Sequence, residues 1–242
     1  MENNIKVALC LHGMFDSKTD SSSLGINGYN YIKQHILDKF DTDVYIHNWD
    51  VDKADMIKQM YNPINCVFEE QIDFENFVVD NELNLIQTPP RNPKTVLSHF
   101  YSIQKSFELL YESEYSKYDF VIKSRFDLGQ INRRTSPYNV ECINFNKNNP
   151  TDRINMAWWP DKWMLREGPP DMWFYSGYDT MNPFTNIFDT ISKYMEHNSD
   201  FRTNINNTLG SKHISNASVL YKGFFEDNNL WGDRNALICE KN

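Results

Sequence analysis

Residues 118–128 constrain this chain most, reading Tyr-Asp-Phe-Val-Ile-Lys-Ser-Arg-Phe-Asp-Leu. The apolar run Phe-Val-Ile favours β structure and predicts a short buried strand. The positions that follow are polar and carry Lys123, Arg125 and Asp127. Open α/β sheets build ligand sites where buried strands deliver such side chains at their carboxyl ends. A salt bridge on the surface at a strand end fits the same residues, so this stretch alone leaves both interpretations open.

Two earlier strands are predicted to end in the same way. The nearly continuous apolar run at 5–11 is typical of a strand buried on both faces, and His12 and Gly13 follow it. A second strand at 43–46 is followed by a polar stretch that ends at Asp50. Because parallel strands share the direction of their carboxyl ends, we expect all three polar strand ends to meet at one edge of the sheet.

The remaining patterns complete a single α/β domain. Apolar side chains recur at helical spacing in five segments, at 28–40, 56–61, 95–115, 181–196 and 215–225. Weaker strand signals occur at 66–68, 77–79 and 140–145. Aromatic, proline and polar residues are interleaved without a period over 158–177, which predicts a binding surface built from loops. The fold expected is a mostly parallel, Rossmann-like sheet flanked by helices, with a loop-rich C-terminal region.

Composition excludes several classes of function. The net charge of −9 argues against a general nucleic-acid binder, which needs a positive field around the phosphates. The four cysteines form no CxxC pair, so their spacing matches neither a zinc motif nor a disulfide framework, and Cys10 is expected to be buried and reduced. The sequence shows neither a signal peptide nor an apolar run of membrane-spanning length, which predicts a soluble cytoplasmic protein.

The chain resembles glycosyltransferases of the GT-A type, specifically the bacterial and viral surface-glycan enzymes related to the WavE-like lipopolysaccharide-synthesis proteins. The matching segments occur in the order seen in that family, at 6–13, 43–50, 101–105, 118–128 and 171–177. The resemblance implies that a sugar is transferred from a nucleoside-diphosphate sugar to a glycan acceptor. It also implies that residues 1–128 hold the donor and that residues 129–242 form the acceptor side. The abundance of Asn, Lys, Ile and Tyr fits a large virus, in which case the location is the host cytoplasm, or a low-GC bacterium.

The family resemblance further implies a divalent cation, Mn²⁺ or Mg²⁺, held on the donor diphosphate by a DxD motif. In this chain Arg125 stands where the first acid would be, which leaves Asp127 as the metal ligand. His213 is a further candidate ligand. Arg125 has a planar fork that suits phosphate, so it is expected to contact the donor. A structural Arg–Asp pair is the alternative for both residues.

Five other residues are implied to surround the nucleotide-sugar. His12 and Gly13 would lie near the nucleotide, and a simple turn after the first strand is the alternative. Asp50 would bond the ribose or the base. Tyr101 and Gln104 would face the donor from the helix at 95–115, although a solvated helix flank explains them equally well.

Asp171 is the candidate catalytic base, because it follows a Pro-Pro turn and precedes an aromatic strand. In an inverting transfer this carboxylate would deprotonate the acceptor hydroxyl, whereas a retaining transfer needs no such base. Four tryptophans would either stack on an acceptor sugar or form a second small core, namely Trp158, Trp159, Trp163 and Trp173.

Other functions remain to be weighed against glycosyl transfer. A carbohydrate-binding protein that retained the fold without catalysis is the main alternative, since the DxD motif is altered. A nucleotidyltransferase shares the sheet but would begin with a basic, Gly-rich loop, and the residues after His12-Gly13 do not form one. The sequence also lacks the motifs of dinucleotide enzymes, P-loop enzymes and α/β-hydrolases.

Overall fold

The computed structural model describes residues 5–16, 24–80, 93–113, 118–128, 145–156, 171–191, 221 and 224–230. Six strands are present in these ranges: β1 Lys6–Gly13, β2 Asp41–Asn48, β3 Asn65–Phe68, β4 Phe120–Arg125, β5 Asn155–Met156 and β6 Trp173–Ser176. The α-helices are α1 Leu24–Ile32, α2 Ala54–Tyr61, α3 Glu75–Asp80, α4 Pro93–Tyr111 and α5 Tyr178–Met181. A π-helical turn, Lys33–Leu37, extends α1.

The strands form one mixed sheet in the order β3-β2-β1-β4-β6-β5. Strand β1 pairs in parallel with both β2 and β4, and β2 pairs in parallel with β3. Strand β6 is antiparallel to β4, with Ser124 opposite Trp173. The start of β6 therefore lies beside the carboxyl end of β4. The expected α/β class and the mostly parallel sheet flanked by helices are confirmed, and the arrangement is compatible with a Rossmann-like fold.

Alternation along β1 divides the core into two layers. Ala8 and Cys10 lie in the layer that contains α4, whereas Leu9 and Leu11 lie in the layer that contains α1. This period of two follows from the pleat of a strand. Cys10 is a free, fully buried thiol, as expected, and burial raises its pKa well above the usual value. None of the described helices combines the length and apolar character that crossing a bilayer requires.

Two predictions of secondary structure are wrong. Residues 77–79 belong to helix α3 and not to a strand, and the Asp73 carboxylate stabilises the start of that helix by accepting the Glu75 N–H at 3.1 Å. The helix expected from residue 181 instead stops there and gives way to the 3₁₀ turn Asn182–Asn186. Pro183 explains the break, because it lacks an N–H group and its ring crowds the preceding turn.

Other segments match the expectation in part. Helix α4 ends at Tyr111, four residues before the predicted end at 115. Residues 140–144 and most of 215–225 lie outside the described residues. The helical spacing of the C-terminal segments also predicts which apolar side chains point inward. Phe188 is only partly buried, and the other described ones are buried, namely Phe184, Ile187, Ile191, Tyr221 and Phe224.

Helix α1 packs on the turn after β4 through a glycine. A Cβ atom at Gly28 would lie 1.7 Å from the carbonyl oxygen of Phe126, a separation that backbone atoms cannot tolerate. This contact fixes the turn that carries Asp127, and it explains why α1 needs glycine despite its poor helix propensity.

We expect Gly28→Ala to lower the free energy of unfolding by about 2–3 kcal/mol, because the overpacking exceeds the gain of about 1 kcal/mol in helix propensity. Urea unfolding measures the change. The control is Asn27→Ala, at an exposed position of the same helix, which is expected to leave stability unchanged or slightly higher. A Gly28→Ala variant as stable as its parent would show that α1 does not sit on this turn.

Candidate ligand site at the strand ends

The three predicted strand ends meet at one edge of the sheet, as expected. His12 on β1 is in register with His47 on β2 and with Arg125 on β4. We call these three residues the strand-end row. Two residues before this row, Cys10 on β1 pairs with Lys123 on β4, and both lie on the same face of the sheet as the row. The row spans the boundary between β1 and β4, where the strand order reverses and where open α/β sheets bind ligands.

Arg125 is held between two carboxylates. Its Nε and Nη2 atoms donate to the two oxygens of Asp127 at 2.9 and 2.6 Å. Its Nη1 atom lies 3.9 Å from Oδ2 of Asp171. Burial disfavours the charged guanidinium, but the carboxylates of Asp127 and Asp171 outweigh that effect and raise the pKa of Arg125 above its usual value. The structural Arg–Asp pair is therefore present, and Arg125 is permanently cationic.

The same pairing bears on the metal prediction. Each carboxylate oxygen of Asp127 accepts one hydrogen bond from Arg125, so a divalent cation would have to bind the remaining lone pairs of these oxygens or displace the guanidinium. No group of three His, Cys, Asp or Glu side chains with metal-binding geometry occurs within the described ranges. The other candidate ligand, His213, lies outside them. Metal binding therefore stays a prediction.

Lys123 is a buried cation that sequence reasoning left out of the site. Its side chain is fully buried, and its Nζ atom donates to the backbone carbonyl of Asp171. The same atom lies 4.9 Å from the ring centre of Phe174 and 5.3 Å from that of Tyr221. Burial lowers the pKa of Lys123 to about 7, against the opposing effect of Asp171. Lys123 thus joins β4 to the start of β6 and fixes the backbone that carries the Asp171 carboxylate.

His12 is buried and has no hydrogen-bond partner in the described part of the chain. Neither of its ring nitrogens is bonded, although only 1% of the residue is exposed. Its ring meets that of His99 edge-on, with 5.0 Å between the centres, and His99 is in turn hydrogen-bonded to the Tyr221 hydroxyl at 2.9 Å. Burial, followed by the positive charge of Lys123, holds the pKa of His12 well below its usual value. His12 is therefore a neutral imidazole at pH 7.

A chain of hydrogen bonds supports the turn at Gly13. The Gly13 N–H donates to the Ser102 hydroxyl at 2.7 Å, and that hydroxyl bonds Nδ1 of His47 at 2.7 Å. Nε2 of His47 bonds the Glu69 carboxylate at 2.9 Å, which places the ring proton on Nε2 and makes Nδ1 an acceptor. Gly13 has a φ of +97°, and no atom of the described residues lies within 4 Å of the position its Cβ would take. In this part of the chain the backbone therefore borders open space at the strand end.

Two further residues predicted to contact the nucleotide-sugar, Asp50 after β2 and Tyr101 on α4, make contacts within the protein. Oδ2 of Asp50 accepts the N–H groups of Phe15 and Asp16 at 2.7 and 3.2 Å and so fixes the segment after β1. Trp49, the residue before Asp50, is buried. It stacks on Tyr101 with 5.5 Å between the ring centres.

Gln104 and Trp173 are also committed to the interior. The side-chain oxygen of Gln104 accepts the N–H groups of Phe188 and Asp189, and its amide nitrogen donates to the carboxylates of Glu108 and Asp189. The solvated-flank interpretation of Gln104 is therefore wrong, and a contact with the donor would have to break one of these bonds. Trp173 is 1% exposed, so it packs in the core and cannot stack on a sugar. Trp158, Trp159 and Trp163 lie outside the described residues.

The structure thus brings His12, Gly13, Arg125, Asp127 and Asp171 to one edge of the sheet, with Lys123 beneath them. The chain matches no protein-family model and no curated protein sequence.

Proposed function

We propose that the protein is a glycosyltransferase that moves a sugar from a nucleoside-diphosphate sugar to a glycan acceptor. The observation that carries the proposal is the placement of Arg125 between Asp127 and Asp171, at the point where the strand order reverses. A permanent cation beside two carboxylates suits a ligand with a charged phosphate part and a hydroxyl-rich sugar part. In this proposal residues 1–128 supply the donor side and residues 129–242 supply the acceptor side of a single GT-A-like domain.

Arg125 can contact a phosphate without releasing Asp127. Only its Nε and Nη2 atoms donate to Asp127, and the distance of 3.9 Å from Nη1 to Asp171 is too long for a hydrogen bond. Among the described residues, none accepts a hydrogen bond from Nη1. The N–H groups of Nη1 therefore remain available to a phosphate oxygen, and the open space beside Gly13 gives the ligand access to the strand ends.

Asp171 supplies the base in this proposal. Its carboxylate is partly exposed, at 19% of the side chain, and lies on the same edge as Arg125. In an inverting transfer it would accept the proton of the acceptor hydroxyl as that oxygen attacks the sugar carbon. Lys123 acts from beneath, because its bond to the Asp171 carbonyl holds the carboxylate in position.

A thermal-shift screen tests the proposal. Nucleoside diphosphates and nucleotide-sugars are added with and without Mn²⁺, because Asp127 is the predicted metal ligand and is already bonded to Arg125. A ligand that binds only the native state raises the melting temperature, so the strongest response identifies the donor. The screen contradicts the proposal when no nucleotide or nucleotide-sugar raises the melting temperature in either condition.

Slow hydrolysis of the identified donor tests the assignment of the site. We expect Asp127→Ala to abolish hydrolysis, since it frees Arg125 from its bidentate partner and removes the predicted metal ligand. The matched control is Asp152→Ala, which removes an exposed carboxylate near the opposite end of β6. Equal loss in both variants would place the activity elsewhere.

One observation favours a second candidate function, carbohydrate binding without catalysis. Both oxygens of Asp127 are already bonded to Arg125, as in a structural pair that has replaced a metal ligand. This candidate gains support when glycans bind and neither nucleotides nor Mn²⁺ change the melting temperature.

A further inference from the structure

His12 is the one member of the strand-end row whose polar atoms lack partners among the described residues. His47 is bonded to Ser102 and Glu69, and Arg125 is bonded to Asp127. Buried polar atoms are nearly always hydrogen-bonded, so an imidazole with two unbonded nitrogens calls for an explanation. Its location at the carboxyl end of β1 indicates a ligand contact.

The charged and titratable groups around His12 come from five parts of the fold. They are His47 on β2, His99 on α4, Lys123 and Arg125 on β4, Asp127 in the following turn, and Asp171 before β6. The two carboxylates lie against Arg125, and burial holds the pKa of His47 below its usual value despite the opposing effect of its bond to Glu69. His99 is bonded to Tyr221. The charged groups that act on His12 itself are therefore cationic.

We propose that His12 contacts the phosphate part of the ligand as an imidazolium, so that binding of the anion takes up a proton from solvent. This inference rests on the proposed function, in which the ligand carries a diphosphate. The charge balance favours it: Asp127 and Asp171 already offset the single charge of Arg125. The two negative charges of a diphosphate diester then need additional positive charge nearby.

Within the described ranges, His12 and Lys123 are the two groups beside Arg125 that can supply this charge. Burial and neighbouring cations hold the pKa of His12 low in the free protein, and burial places that of Lys123 at about 7. An anion beside the imidazole stabilises its charged form and accepts its N–H groups, which raises the pKa. The proton is taken from water, and no oxidant, metal or covalent step is involved.

Inorganic sulfate is the probe, because it remains a dianion across the neutral range and any proton taken up must go to the protein. The ring signals of labelled histidines are followed by NMR from about pH 5 to about pH 9, with sulfate and with chloride at equal ionic strength. The His12 signal is assigned by its absence in His12→Gln. We expect sulfate to raise the midpoint of the His12 signal by at least about one pH unit.

Affinity gives an independent readout. Sulfate binding should weaken with rising pH by up to about tenfold per unit once His12 has to be protonated on binding. His12→Gln and His12→Asn should bind sulfate more weakly and lose the part of the pH dependence that follows the His12 midpoint, leaving only the part that Lys123 contributes. The control is His35→Asn, at a histidine that stacks on Tyr31 near the end of α1, which should leave both unchanged.

The inference is overturned when sulfate does not bind, or when it binds with a stationary His12 midpoint and an affinity that does not depend on pH. A nucleotide-sugar that raises the melting temperature under those conditions leaves the proposed function standing and rejects only the role of His12. Conversely, sulfate binding that requires His12, without a response to any nucleotide, supports the anion site and rejects the proposed function.

Discussion

Asp171→Asn is expected to lower the rate of donor hydrolysis by about 10²- to 10⁴-fold, the range typical of a lost general base. The amide has the size of the carboxylate but cannot accept the acceptor proton. The backbone carbonyl that Lys123 binds is unchanged by the substitution, so the start of β6 should remain in place. Donor affinity should stay within about threefold of the parent, because Arg125 keeps its bidentate bonds to Asp127.

The measurement is the initial rate of hydrolysis at saturating donor, with affinity taken from the thermal shift. Asp152→Asn is the matched control, since its side chain is 74% exposed and pairs only with the neighbouring Arg153 among the described residues. Unchanged hydrolysis in Asp171→Asn with intact binding would remove Asp171 from the mechanism. That result would direct attention to a retaining transfer, which needs no such base.

The meeting of the strand ends was predictable because it depends only on chain direction and on the period of two along a strand. Runs of buried apolar residues located β1, β2 and β4, and parallel pairing then placed His12 and Arg125 in register. The same alternation indicates Lys123, which lies two residues before Arg125 and so faces the same side of β4. That signal was present in the sequence, but the interpretation treated the lysine only as part of a polar cluster.

The supporting contacts were not predictable, since they join residues far apart in the chain. Ser102 meets His47 across 55 positions and Gly13 across 89 positions, and no local pattern indicates either bond. A solvated flank was one of two expectations for Gln104, because its bonds to Phe188 and Asp189 lie 84 and 85 positions away in the chain. The short apolar run at 77–79 fits a strand or a helix equally well, and the cap from Asp73 decided between them.

The position of Asp171 was also not predictable, because it depends on the direction of β6. An aromatic strand of four residues carries no signal for parallel or antiparallel pairing. Only the antiparallel arrangement places the residues before Trp173 beside the end of β4. The same pairing buries Trp173, which decides between the two expectations for this tryptophan in favour of core packing.

Lys123→Met is expected to remove the pH dependence that Lys123 gives to the free energy of unfolding. The pKa of Lys123 is about 7 in the folded protein, whereas an unfolded lysine has a pKa of about 10.4. Between these values the unfolded chain binds more protons, so the free energy of unfolding of the parent rises with pH. The slope approaches about 1.4 kcal/mol per pH unit, which amounts to about 2–3 kcal/mol between pH 7 and pH 9.

Methionine has nearly the shape of the lysine and carries no titratable group, so the variant should lack this slope. It leaves the Asp171 carbonyl without its bond to Nζ, at a cost of about 1–3 kcal/mol at every pH. The test is the difference in unfolding free energy between parent and variant, measured in urea at pH 7, 8 and 9. We expect this difference to shift in favour of the parent as the pH rises.

The exposed Lys58→Met serves as the control and should give a constant difference. Parallel pH profiles for the parent and Lys123→Met would show that the buried amine stays charged in the folded protein, held by the Asp171 carbonyl and the two aromatic rings.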